Sequence, residues 1–114
     1  MNNVVSTQNA EHYPWGDGCD GWHLVRQNDL SIIQERVPPG KSERLHYHTK
    51  SRQFFYVLEG TAAMEIDGKH VVVKAHEGIE VPPTVPHRLH NDSGVDLIFL
   101  VVSAPKSHGD RVDL

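Results

Sequence analysis

The chain predicts an all-β fold, a sandwich or a small antiparallel barrel, and three observations carry that prediction. Short segments of period-two or doubly apolar character recur along its 114 residues. Gly, Pro, Asn and Asp separate them, and nowhere does an apolar 3.6-residue period persist. Eight or nine short strands in one domain's length must close or stack to hide their edges.

In chain order, the first dozen residues are polar and offer at most a helical turn. Strands are expected over 22–27 (WHLVRQ) and 30–37 (LSIIQERV), with Asn28-Asp29 as the turn between them. Further strands are expected over 43–48, 53–59, 61–66 and 70–75. The last two are joined by Asp67-Gly68, a pair suited to the positive φ angles of a two-residue hairpin. Strands over 79–82, 86–91 and 95–103 complete the set. The closing stretch SAPKSHGDRVDL reads as a polar tail broken by Pro105 and Gly109, with no chemistry assigned to it.

Two strands are apolar at successive positions, FFYVL (Phe54 to Leu58) and LIFLVV (Leu97 to Val102). A strand with one solvated face shows alternation, so the second face of these two needs a cover. The expected cover is a second subunit, giving a homodimer formed through sheet surface. The alternative is an N-terminal segment carrying Trp15 and Trp22 that wraps over the same face.

Composition excludes some partners. The formal net charge is −4, with 11 basic and 15 acidic residues scattered along the chain, so there is no basic footprint for nucleic acid. No apolar run reaches the roughly 18 residues of a membrane span. The start MNNVVSTQNAEHY lacks the features of a signal peptide, and a soluble, cytoplasmic protein is expected. The single cysteine, Cys19, permits no internal disulfide and reads as a small structural residue.

The chemistry concentrates in RLHYHTKSRQFFYVLEG, Arg44 to Gly60. On a strand His46 and His48 share a face, roughly 7 Å apart along the backbone, close enough for both imidazoles to reach one metal ion. By the same parity, if the strand runs without a bulge, Arg44 points toward the cavity, where its guanidinium would pair with an anionic substrate group. The alternative, slightly favoured, is a place at the barrel rim or against a structural carboxylate such as Glu80. In GIEVPPTVPHRLHN, Gly78 to Asn91, prolines fix the backbone where a strand begins and present His87 rigidly. Gln53 is the odd residue, an uncharged amide where a carboxylate would be the usual further ligand. His12, His23, His70, His76, His90 and His108 read as surface or loop residues.

The stretch from Gly40 through HYH and Gln53 to Gly60 resembles the first motif of the cupin superfamily: a glycine, five residues, His-x-His, three or four residues, Glu, six residues, Gly. PPTVPHRLHN resembles the second motif, and together the two span the middle half of the chain, at 40–60 and 78–91. The resemblance implies one small cupin domain over 1–114, a jelly-roll β-barrel in which His46, His48 and His87 are the metal-binding histidines. His76 stands where the second motif usually opens on glycine, Thr84 replaces its other glycine, and Gln53 replaces the glutamate ligand. Three inward imidazoles and an amide could simply hydrogen-bond within a polar cavity. A shared divalent ion, however, satisfies them all at once.

Three neutral histidines and a neutral amide leave the ion its full double charge and an open position for substrate. Such a centre resembles the three-histidine iron of cupin thiol dioxygenases and diketone-cleaving dioxygenases. The implied function is thus a metal-dependent enzyme acting on a small, chelating molecule, neutral or anionic, with Fe(II) favoured and Zn, Mn or Ni as alternatives. Gln53 either ligates the ion or hydrogen-bonds a bound water or substrate. The competing functions are a redox-neutral isomerase or lyase using the ion as a Lewis acid, and a small-ligand-binding module without turnover.

Overall fold

The computed structural model describes residues 4–114, as eleven strands with no helix among them. They are β1 (Glu11–Trp15), β2 (Cys19–Arg26), β3 (Ser31–Val37), β4 (His46–His48), β5 (Arg52–Glu59) and β6 (Thr61–Ile66). Then follow β7 (Lys69–Lys74), β8 (Gly78–Val81), β9 (His87–His90), β10 (Leu97–Ala104) and β11 (Arg111–Asp113). Two antiparallel sheets form, in the orders β1-β2-β3-β10-β5-β8 and β11-β4-β9-β6-β7. This is the expected all-β jelly-roll barrel. No helix of the described residues is long and apolar enough to cross a membrane.

Alternation builds the interior. Along β10, Leu97, Phe99, Val101 and Ser103 are buried while Ile98, Leu100 and Val102 are half-buried on the outer face. Met64 on β6 and Leu89 on β9 meet them from the opposite sheet, both almost fully buried. Each such side chain contributes roughly 1.5–3 kcal/mol by leaving water.

Turn chemistry follows the sequence closely. Asp67 and Gly68 have φ of 52° and 78°, the paired positive values of a type I′ hairpin. The two-residue hairpin turn expected at Asn28-Asp29 is corrected to a wider loop over 27–30, closed by the Gln27 N–H donating to the Leu30 carbonyl at 3.0 Å. Gly60 at φ 82° closes the first motif, and a Cβ there would lie 2.7 Å from the Asp96 carbonyl oxygen. The two residues in place of motif glycines, His76 and Thr84, keep glycine-like backbones at φ 67° and 70°. Each holds a conformation L residues adopt at a cost of about 1 kcal/mol.

Two further expectations are corrected. The strand expected over 43–48 is regular only at His46–His48; upstream of it Ser42 forms an isolated bridge to His90. The single turn expected at the chain start is present, the Ala10 N–H donating to the Ser6 carbonyl at 2.8 Å, and β1 follows it. Residues 1–3 of that expectation lie outside the described residues. The tail is not free: β11 pairs antiparallel with β4, Arg111 opposite His48 and Asp113 opposite His46. β1 carries Pro14, which an edge strand tolerates, and it extends the sheet beside β2 instead of wrapping over its outer face.

Candidate metal centre

His46 and His87 are cross-strand partners on β4 and β9, and His48 lies one same-face step along β4. Period-two geometry therefore brings three imidazoles together, with ring centroids 4.4, 5.0 and 5.5 Å apart. Their exposures are 3%, 5% and 1% for His46, His48 and His87. One ring nitrogen from each lies within 4.8 Å of the others. A metal–nitrogen bond is about 2.0–2.1 Å, so small ring rotations close the set on one ion.

The hydrogen bonds fix which nitrogens are available. A carbonyl can only accept, so His46 Nδ1–H donates to the Arg44 carbonyl at 2.6 Å and His87 Nδ1–H donates to the Val85 carbonyl at 3.0 Å. Nε2 of each ring then carries a lone pair, the pattern of histidines oriented for a metal by a backbone acceptor. His48 is more telling: neither of its buried ring nitrogens makes a hydrogen bond of good geometry among the described residues, although the Asp110 backbone lies close enough to favour its protonated form. Burial pushes the imidazole pKa values down, to about 4 for His46 and His87, so the rings are neutral at physiological pH. Three buried neutral imidazoles, one of them without a hydrogen bond of good geometry, fit a divalent ion.

Gln53 reaches this cluster from the other sheet. On β5, paired with Ser103 of β10, it is 6% exposed, with Oε1 3.1 Å from His87 Nε2 and Nε2 donating to Ser103 Oγ at 3.0 Å. In that orientation the amide oxygen and the imidazole lone pair face each other, an arrangement a cation between them would relieve. Turned over, the amide would donate to His87 Nε2 and accept from the Ser103 hydroxyl.

A cavity of about 300 Å³ opens onto His46, His48 and Gln53, with Tyr13, Trp15 and Phe55 as aromatic wall. Two cavity carboxyls escaped the sequence reading. Glu35 shares the inner face of β3 with Ser31, Ile33 and Val37, and Glu43 precedes β4. Burial, reinforced by Glu43, pushes Glu35 up to about 8, and burial lifts Glu43 to about 7 against the pull of Arg111 and the Leu89 N–H it accepts at 3.0 Å. Glu35 makes no ion pair or side-chain hydrogen bond among the described residues. The signal was present in SIIQERV, where position 35 continues the face of Ser31 and Ile33.

Arg44 is not brought to the cavity. It is exposed, and its Nε donates to the Leu114 carbonyl at 3.4 Å. Strand parity fails because Arg44 lies before the regular part of β4; nor does Arg44 meet Glu80, whose partner is Arg52. The cavity's cation is Arg111, delivered by the tail. Asp110 holds that tail: its carboxylate accepts from the Thr49 hydroxyl, the Thr49 N–H at 3.0 Å, the Lys50 N–H at 3.0 Å and the Ser51 N–H at 2.8 Å. These donors hold its pKa well below the carboxylate range.

His23, expected at the surface, is instead buried against Tyr13 and His108, ring centroids 4.9 and 5.5 Å away, because β2 turns Cys19, Gly21 and His23 inward. His108, although exposed, lines the cavity. His76 is exposed, as expected. Cys19 is buried, and burial pushes its thiol pKa up, in keeping with a structural role.

Known proteins place this arrangement. The family described as "Cupin domain" matches residues 33–103. An uncharacterized protein of Methanocaldococcus jannaschii is 37% identical over 81 residues, 70% of this chain and 65% of that protein. An oxalate-binding protein of Thermotoga maritima is 33% identical over 67 residues, 59% of this chain and 55% of that protein. The chain thus matches less than two thirds of the length of either relative. An RmlC-like cupin from Shewanella frigidimarina superposes with a TM-score of 0.84 at 22% identity, covering 96% of both chains, a likeness of fold. With both motifs in place, three histidines gathered inside the barrel and a family match over most of the strands, the chain belongs to the cupin family.

Proposed function

We propose that this cupin is a metal-dependent enzyme acting on a small chelating organic molecule, with one divalent ion held by His46, His48 and His87. The observation that carries this reading is His48, whose buried ring nitrogens make no hydrogen bond among the described residues, beside two imidazoles whose Nδ1 atoms are tied to backbone carbonyls. The ion supplies Lewis-acid polarisation and, if it is iron, access to dioxygen chemistry. Because the donors are neutral, an Fe(II) dioxygenase is the favoured reaction class. Gln53 sits beside the ion, as a ligand through Oε1 or as the amide that holds the ligand side of His87. The aromatic wall excludes water from around the bound molecule.

A second reading, redox-neutral isomerisation or elimination, is favoured by the Glu35 and Glu43 carboxyls, whose pKa values near neutrality suit proton transfer. One experiment separates the two. Protein purified without chelator and loaded with Fe(II) is offered small acids, thiols and diketones while oxygen is monitored. Substrate-dependent oxygen uptake that is lost in His87→Ala supports the dioxygenase. Turnover without uptake supports the redox-neutral reading. Absence of turnover together with absence of metal would contradict both.

The reading includes a homodimer. Phe54 is 42% exposed, and Tyr56, Leu58, Ile98, Leu100 and Val102 are half-buried beside it on the outer face of one sheet, while β1 pairs at the edge beside β2. A second copy of this chain covers that face in our proposal.

A further inference from the structure

We propose that Arg111 recognises the substrate's charged group, so that the cavity takes a small carboxylate anion whose adjacent oxygen turns toward the histidine cluster. The inference rests on the reading of this cavity as the substrate site and adds the ligand's chemical class. Among the residues lining the cavity, Arg111 is the one lysine or arginine. Arg111 stands opposite His48 in the β11–β4 pair, on the side of β11 that faces the cavity.

The side chain is braced for the task. Arg111 Nε donates to Asp113 Oδ1 at 2.6 Å, and the guanidinium makes no other hydrogen bond among the described residues. That leaves the edge formed by the two terminal nitrogens, which matches a carboxylate bidentately. The backbone is fixed too, Arg111 standing opposite His48 in the β11–β4 pair, and Asp110 anchors the preceding residue by bonds to Thr49, Lys50 and Ser51. The anchor therefore sets the guanidinium and the histidine cluster in a fixed relation, as selection of a short two-ended ligand requires.

The test compares pyruvate with its neutral isostere pyruvamide, titrated into full-length wild type, Arg111→Gln and Arg111→Lys, each in Zn(II)-loaded and metal-free form. Binding is followed by tryptophan fluorescence, since Trp15 lines the cavity. Arg111→Gln is expected to weaken pyruvate at least tenfold while leaving pyruvamide affinity, zinc content and melting temperature unchanged. Arg111→Lys, which keeps the charge but loses the fork, falls between. If the chain holds no zinc, the metal reading fails. Arg111-dependent pyruvate binding to the metal-free protein, though weaker, would still uphold the anion site. Equal pyruvate affinity in wild type and Arg111→Gln, or no pyruvate binding in either form, overturns the proposal.

Discussion

Among single residues, Glu35 departs furthest from what folding alone would select. A carboxyl on the inner face of β3 with no ion pair costs stability whenever it must ionise. Its native pKa is raised to about 8, whereas the unfolded chain titrates near 4.3. Over that window the folded state binds the extra proton, so stability falls as pH rises from about 4.5 to about 8 and levels off above. In metal-free protein, Glu35→Gln should remove its share of this slope, leaving the part due to Glu43, matching wild type at pH 5 and exceeding it by ~2–4 kcal/mol at pH 8.5 in urea unfolding. Parallel pH curves for the two proteins would refute the assignment. The buried histidines act in the opposite direction. With His46 and His87 lowered to about 4, metal-free protein should lose stability as pH falls below the ordinary histidine range toward 4. Gln53 has its own test. A carboxylate there adds charge and a donor to the ion, so Gln53→Glu should tighten metal binding. Unchanged metal affinity with a lowered melting temperature would leave Gln53 a packing residue.

At the scale of elements, β11 shows where sequence reading stops. Period-two apolarity made nine strands legible, and the hairpin at Asp67-Gly68 was legible to the residue because its φ demands are local. In the histidine cluster, strand parity placed His46 and His48 on one face, and the resemblance to the cupin motifs joined His87 to them. β11 has no apolar pattern: Arg111, Val112 and Asp113 are all exposed, and a single aspartate's contacts with residues some sixty positions away hold the tail. Such long-range polar anchoring leaves no periodic trace. The misplacement of Arg44 has the complementary cause, a strand that loses regularity before the motif begins. Replacing Asp110 by Asn should therefore free the tail selectively. Hydrogen exchange at residues 111–113 should accelerate by an order of magnitude or more while β4, β9 and metal content stay intact. Unaltered exchange there would mean the strand pairing alone holds β11.

At the scale of the whole molecule, one barrel presents two faces with different roles. The inner face gathers imidazoles, carboxyls and a guanidinium around a cavity of about 300 Å³; the outer face of the larger sheet is an apolar surface centred on β5 and β10. Placing a charge on that outer face, as in Leu100→Asp, is expected to shift sedimentation from dimer to monomer without loss of metal, because the site lies across the sheet. A wild-type protein that sediments as a monomer would remove the dimer from the account. The claim on which the rest depends is that one ion is shared by three histidines, and metal content after purification without chelator tests it most directly. The account predicts one divalent ion per wild-type chain, and none in a folded His48→Ala/His87→Ala double variant. Stoichiometric metal retained in that double variant would contradict it.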